Sequence, residues 1–212
     1  MICQQYAIFD MDGTLLDSMP YWRNILAEYL NMPIPMEHAL KIRDMNVTES
    51  VELTAKTFNL KKSVPQIFNE MCDLMLYHYL NHVKPKNGVQ EYLQMLKQNN
   101  IRMCVASASP RHLIKSALEH FELADNFEFL CSTEDGFADK RNPDIYLYCA
   151  EKFNSAPVDT AVFEDSYSAI VTAKKANFPV VAIYDDTQKE YWQEITSVAD
   201  KFKISYQMSK QN

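Results

Sequence analysis

Glycine is scarce in this chain: its 212 residues carry three, Gly13, Gly88 and Gly136, where average usage of about 7% would put about fifteen. Neither G-x-G-x-x-G nor G-x-x-x-x-G-K-[ST] can be written with them, so any phosphate chemistry must do without a Gly-rich cradle. Positive charge is short as well. Twenty-one Lys and Arg against 28 Asp and Glu give a formal net charge of -7. The densest basic clusters are pairs such as Lys61-Lys62 and Lys174-Lys175, which argues against a basic face for nucleic acid. The longest run that reads as fully buried, residues 178–184, is far short of the ~20 residues of a membrane helix. The N-terminus has neither a basic n-region nor a long apolar h-region, so a cytoplasmic protein without membrane association is expected. Five cysteines, an odd set without C-x-x-C spacing, read as reduced core thiols.

What is present is a globular balance, 47% apolar and 23% charged, enough for a sizeable core. Short apolar runs at residues 6–9, 103–106, 127–130, 160–163 and 179–183 read as strands buried on both faces of a parallel sheet. Between them Val89, Tyr92, Leu93 and Leu96, then Leu113, Ile114, Ala117, Leu118 and Phe121, fall at helical spacing. Pro143 opens a further helix and Ser166 stands where one is capped. The alternation predicts an α/β fold, a doubly wound parallel-sheet (Rossmann-like) core. From Asp17 to about Val83 only helical periodicity appears, so an all-helical insert is expected: residues 1–16 and 84–212 form the core, residues 17–83 a helical cap domain. Six of the eleven methionines lie in the insert and read as gap-filling core side chains.

In an open parallel α/β sheet, ligands bind beyond the carboxyl ends of the strands. The residues that follow the expected strands are Asp10-Met11-Asp12-Gly13-Thr14, Ser107-Ala108-Ser109, a loop leading to Lys140, and Glu164-Asp165. Four carboxylates facing one lysine cannot all stay ionised cheaply, because two like charges ~4 Å apart repel by about 4 kcal/mol at an effective dielectric of 20. A divalent cation resolves this, and oxygen ligands without Cys or His point to Mg²⁺ rather than Zn²⁺. The cation and Lys140 would attract a phosphate dianion. Asp10, at the strand end, is the candidate nucleophile, forming an aspartyl-phosphate that water then hydrolyses. Asp12 would protonate the leaving alkoxide and later deprotonate water. Ser107, with Ala108 beside it, would bind phosphate, and Glu164 and Asp165 would hold the metal beside Asp10.

Asp10-Met11-Asp12-Gly13-Thr14-Leu15-Leu16-Asp17-Ser18 resembles the first motif of the haloacid dehalogenase superfamily, in the branch that includes β-phosphoglucomutase and small-molecule phosphatases. Ser107, Lys140 and Glu164-Asp165-Ser166 resemble its second, third and fourth motifs in order and spacing, so the resemblance spans essentially the whole chain. It implies Mg²⁺ held by the side chains of Asp10 and Asp165 and by the carbonyl of Asp12, with Glu164 binding directly or through water. It also implies that the helical insert is a mobile cap whose closure would exclude bulk water. The dehalogenases that name the superfamily lack the second aspartate, so Asp12 favours phosphoryl transfer over carbon–halogen cleavage. Two departures stand out: Asp139-Lys140-Arg141-Asn142-Pro143-Asp144 where the family usually reads Gly-Lys-Pro-x-Pro-Asp, and Ala169 where a Gly is usual.

The expected activity is Mg²⁺-dependent hydrolysis of a small phosphorylated metabolite, a sugar phosphate being one candidate, by a monomer or weak homo-oligomer. One alternative is a sugar phosphomutase; mutases of this branch resemble one another in a cap stretch with an Arg near a Ser, and Met45-Asn46-Val47-Thr48-Glu49-Ser50 has no Arg. The other is a non-catalytic protein that binds phosphorylated ligands, whose sign would be loss of Asp10, Asp12 or Lys140. Asp17 is read either as a hinge between core and insert or as the cap of the first inserted helix. Arg23, Arg43 and Asn46 are polar residues in or near helix connections where a cap could meet substrate. Ser109 reads as a cap for the helix near Pro110. His78 and His82, four apart, have no evident third ligand, and residues 201–205 read as an edge strand.

Overall fold

The computed structural model describes residues 3–42, 45 and 47–207, so Arg43 and Asn46 lie outside the described residues. The described chain divides into two compact units, Met1–Met19 with Val83–Asn212, and Pro20–His82. The first unit is built on β1 (Tyr6–Phe9), β2 (Arg102–Ser107), β3 (Phe129–Ser132), β4 (Thr160–Glu164), β5 (Val180–Ile183) and β6 (Lys201–Lys203). All pair in parallel in the order β3-β2-β1-β4-β5-β6. This is the doubly wound order, in which the strand sequence reverses beside β1 and opens a crevice at the carboxyl ends.

The apolar runs form strands because both faces of the sheet are covered, which is why they do not alternate. Ala7, Ile8, Phe9, Val105, Val162 and Phe163 have no exposed surface, and the rings of Phe9 and Phe163 stack 4.1 Å apart across β1 and β4. β3 starts two residues later than its apolar run. The Phe127 N–H closes the preceding turn on the Ala124 carbonyl (3.1 Å), and the Phe127 ring packs edge-on against Phe9 at 5.9 Å. That residue therefore serves the turn and the core rather than the ladder.

The connecting helices cover the sheet with the stripes read from the sequence: Val89, Tyr92, Leu93 and Leu96 of α5 (Val89–Gln98), and Leu113, Ile114, Ala117 and Leu118 of α6 (Arg111–His120), are buried. α7 spans Asp144–Phe153, α8 Tyr167–Lys175 and α9 Trp192–Val198. The shortage of glycine leaves a structural trace. Asn31, Asn59, Asn100, Asn154 and Asn177, with Glu122, take the left-handed conformation that glycine commonly fills just past helix ends. Asparagine tolerates it because its short amide bonds locally.

The second unit contains α1 (Met19–Leu30) from its second residue, α2 (Met36–Ile42), α3 (Val47–Thr57) and α4 (Val64–Asn81), inserted in sequence after β1. Ile25, Leu26, Val51, Ile67, Met71, Met75 and Tyr79 form its apolar interior. α4 begins with Pro65 in its first turn and with the Gln66 side chain accepting the Ser63 N–H at 3.0 Å, a pattern that fixes a helix start. Met71 and Met75 are interior, whereas Met32, Met36 and Met45 are 42%, 75% and 38% exposed; gap filling describes only part of the methionine set. Cys72, Cys104, Cys131 and Cys149 are buried free thiols and Cys3 is an exposed one. Among the described residues no helix is long and apolar enough to cross a membrane.

Candidate active site

Parallel register sets the site. Phe9 pairs with Val105 on one side and Phe163 on the other, and the Asp10 N–H donates to the Phe163 carbonyl at 3.0 Å. The next residue along each strand therefore arrives at one level: Asp10 from β1, Ala106 from β2 and Glu164 from β4, with Ser107 one position further along β2. Carboxylate oxygens of Asp10, Glu164 and Asp165 lie within 4.8 Å of one another, and all three side chains are buried.

Lys140 reaches this cluster from the loop before α7. Its side chain is 10% exposed, and its ammonium donates to Asp10 Oδ1 and, at 2.6 Å, to Glu164 Oε1. The unusual flanking residues hold the loop themselves: Arg141 bonds Asp139 through both its backbone N–H (3.0 Å) and its guanidinium. Lysine presentation is thus intact without the usual Gly and Pro. Ala169 fits as a buried residue on α8.

Glu164 is saturated with partners. Beyond Lys140 it accepts from the Tyr146 hydroxyl (2.8 Å) and from the N–H groups of Asp165 (3.1 Å) and Ser166 (3.3 Å). Tyr146 belongs to the buried stripe of α7, where spacing marks it as core and gives no hint of its hydroxyl's partner. Ser166 occupies the N-cap position of α8 without a side-chain capping bond; its hydroxyl pairs with Ser168.

The Asp10–Ser18 loop folds around Gly13, whose φ is +86°. A Cβ there would collide with the Asp165 carboxylate, lying 2.7 Å from its Cγ, so glycine both permits the turn and makes room for a neighbouring acid. Thr14 donates to Asp165 Oδ1 at 3.2 Å. Asp12 is held by two hydroxyls, Ser18 Oγ to Oδ1 and Ser109 Oγ to Oδ2, each at 2.6 Å. Ser109 therefore does not cap the following helix, whose N-cap position is Pro110 with no side-chain bond. Sequence alone missed Ser109, Ser18 and Thr14 as site residues; only their place inside the motifs marks them. Ser107 is 1% exposed, its hydroxyl accepts the Ser109 N–H at 3.0 Å, and Ala108 is exposed beside it.

The Asp17 carboxylate accepts from the Lys86 ammonium at 2.8 Å, so it is held by a lysine rather than by a helix end. Arg23 lies exposed on α1 in the other unit. His78 bonds Glu28 at 2.6 Å, with the His82 ring 5.5 Å away.

Charge in the site is unbalanced. Burial, followed by the neighbouring Glu164 and Asp12, pushes the Asp10 carboxyl up to about 8 despite Lys140. Burial, with Glu164, Asp10 and Asp185 adding to it, holds the Asp165 carboxyl well above the ordinary range. Burial opposes the charge on Lys140, but Asp10 and Glu164 outweigh it and raise its pKa. One ammonium does not neutralise this many acids, and a bound cation inverts such local pKa logic. Oxygen-only donors from three buried carboxylates suit a hard divalent ion.

A doubly wound sheet carrying a cation-ready carboxylate cluster and a buried lysine at its switch point defines an enzyme of the α/β class. The chain belongs to the haloacid dehalogenase-like hydrolase family, whose pattern matches residues 7–183. It is 28% identical to hexitol phosphatase B of Escherichia coli over 182 residues, 84% of this chain and 82% of that one. It is 27% identical to β-phosphoglucomutase of Bacillus subtilis over 187 residues, 83% of this chain and 81% of that one. Its fold is similar to that of CbbY from Rhodobacter sphaeroides, solved in complex with phosphate, with a TM-score of 0.80, 16% identity and coverage of 96% and 95% of the two chains.

Proposed function

We propose that this hydrolase is a Mg²⁺-dependent phosphatase of a small phosphorylated metabolite, a sugar or sugar-alcohol phosphate being the favoured class. The observation that carries the reading is a buried Asp10, bonded to Lys140 and clustered with Glu164 and Asp165, two residues from an Asp12 aimed by two hydroxyls. The name of the Escherichia coli relative supports the substrate class.

Asp10, Glu164 and Asp165, with the Asp12 carbonyl, would hold the cation, which when bound neutralises carboxylate and phosphate charge. An Asp10 oxygen attacks phosphorus; the O–P bond forms as the bond to the leaving alkoxide breaks, and Asp12 gives that alkoxide its proton. Asp12, now a carboxylate, then takes a proton from water whose oxygen attacks the aspartyl-phosphate, releasing phosphate and restoring Asp10. Lys140 fixes Asp10 and faces the charge on the transferring group. Ser107 and Ala108 bind the phosphate oxygens. Ser18 and Ser109 orient Asp12 through both steps.

The test is phosphate release from a panel of hexose and hexitol phosphates in Mg²⁺, wild type against Asp10→Asn. A loss of about 10³-fold or more is expected; equal rates would remove Asp10 as nucleophile, and no release from any substrate would favour a non-catalytic binder. Likeness to a β-phosphoglucomutase favours a second reading. Activator-dependent isomerisation of β-glucose 1-phosphate would replace the phosphatase with a mutase.

A further inference from the structure

Lys86 stands outside every motif and is 7% exposed; among the described residues no other lysine or arginine is as buried as a whole residue. A lysine ammonium has three N–H donors. All three are used here, on Asp17 Oδ1 (2.8 Å), Asp185 Oδ2 (3.0 Å) and the Tyr184 carbonyl (3.1 Å). We propose that Lys86 is a positioning residue that locks Asp17 to the end of β5 and thereby fixes Ser18 and the acid–base Asp12 it holds. This rests on the reading of Asp12 given above.

The anchor side of the lock is rigid. Asp185 is 4% exposed, lies two residues past the end of β5, and its second oxygen accepts from the Thr187 N–H (2.9 Å) and hydroxyl (2.5 Å). The held side is the stretch where the chain leaves the sheet and where it returns. The Asp17 N–H donates to the Lys84 carbonyl (2.9 Å), the Lys86 N–H to the Leu15 carbonyl (2.8 Å), and Leu16 bridges Pro85 in antiparallel fashion. Ser18, covalently next to Asp17 and fully buried, donates to Asp12 Oδ1. From the Lys86 ammonium to the Asp12 carboxylate there are thus two hydrogen bonds and one peptide link.

The Lys86 segment is fastened from behind as well. The Tyr206 N–H donates to the Asn87 carbonyl at 3.0 Å, and Gly88 leaves the room this needs, since a Cβ there would lie 2.7 Å from the Gln207 nitrogen. Asp17 is otherwise an exposed carboxylate, its side chain 55% exposed, and an exposed acid stays in one place only when something holds it. A buried ion network contributes little net stability over apolar groups of the same shape, so stability alone does not account for this one. What it does impose is a single arrangement of three segments.

Two variants test the lock. Asp17→Ala removes the held side and leaves Lys86 with Asp185 and Tyr184. Lys86→Met with Asp185→Asn removes both buried charges together, so no uncompensated ion stays behind. In each, kcat should fall roughly tenfold or more with KM little changed, and the amide protons of Asp17 and Lys86 should exchange faster with solvent while melting temperature stays close to wild type. Wild-type kcat in either folded variant, or unchanged exchange at both amides, overturns the proposal. The exchange measurement needs no substrate, so it decides the lock even if Asp10→Asn proves fully active and the phosphatase reading falls.

Discussion

Both units carry exposed ion pairs on their surfaces, Arg102–Glu128 and Lys115–Glu119 among them in the α/β unit, but they differ in how much charge they bury. In the α/β unit Asp10, Glu164, Asp165, Asp185 and Lys86 are buried and every one of them has a polar partner. In the helical unit Glu37–Lys41 and Lys62–Glu70 lie in solvent, with side chains between 41% and 83% exposed, and among the described residues only the His78–Glu28 pair is partly withdrawn, at 11% and 39%. Surface pairs cost little to form and contribute little. Burying a charge costs several kcal/mol even after relaxation, so a concentration of buried acids around one lysine marks a place shaped for chemistry rather than for stability.

The sharpest way to break this contrast is Lys140→Met. It leaves Asp10 and Glu164 without their cation, and removing one partner of a buried pair costs about 3–5 kcal/mol. Denaturant unfolding should show that loss, and phosphate release should fall about 10²-fold or more. A variant as stable as wild type would mean that the acids never needed the lysine.

A smaller effect should appear in the pH dependence of melting. The Asp10 carboxyl rises from an ordinary 3.8 to about 8, chiefly through burial. A group whose pKa is raised by folding contributes stability that is fully present below its unfolded value and is lost as pH rises through the folded one. In EDTA the wild-type melting temperature should therefore fall relative to Asp10→Asn between about pH 4 and pH 8. Added Mg²⁺, favouring the ionised carboxylates, should raise the wild type most at the upper end of that window. Parallel curves for the two proteins, with and without Mg²⁺, would remove both the raised carboxyl and the cation from the account.

The smallest effect belongs to the helical unit. Glu37→Gln, which breaks the exposed pair with Lys41, should leave the melting temperature within about 2 °C of wild type and the rate of phosphate release unchanged. A drop comparable to that of Lys140→Met would erase the distinction between the two units.

Much of the site was legible because its signals are local. A continuous apolar run followed by Asp10, Asp12 and Gly13 states a buried strand, its end and a tight turn within eight residues. The acids after β4 read the same way. Ser109 was misread as a helix cap because capping is the commoner use of a serine before a helix, and its bond to Asp12 spans 97 residues. Tyr146 sat in an apolar stripe where a hydroxyl has no periodicity, and Lys86 belonged to no pattern. The start of β3 was misplaced because an aromatic residue serves a turn and a strand equally well by composition.

Residue order alone determined the period of each element, the places where strands must end, and the acids and lysine available to a cation and a phosphate, since each depends on neighbours a few positions apart. The meeting of β1, β2 and β4 at one level, the aim of Ser109 and Tyr146, and the seating of Lys86 between Asp17 and Asp185 were decided only when the sheet took its order. Hydrogen bonds between segments about seventy to a hundred and thirty residues apart depend on which strand lies beside which, and no local spacing encodes that.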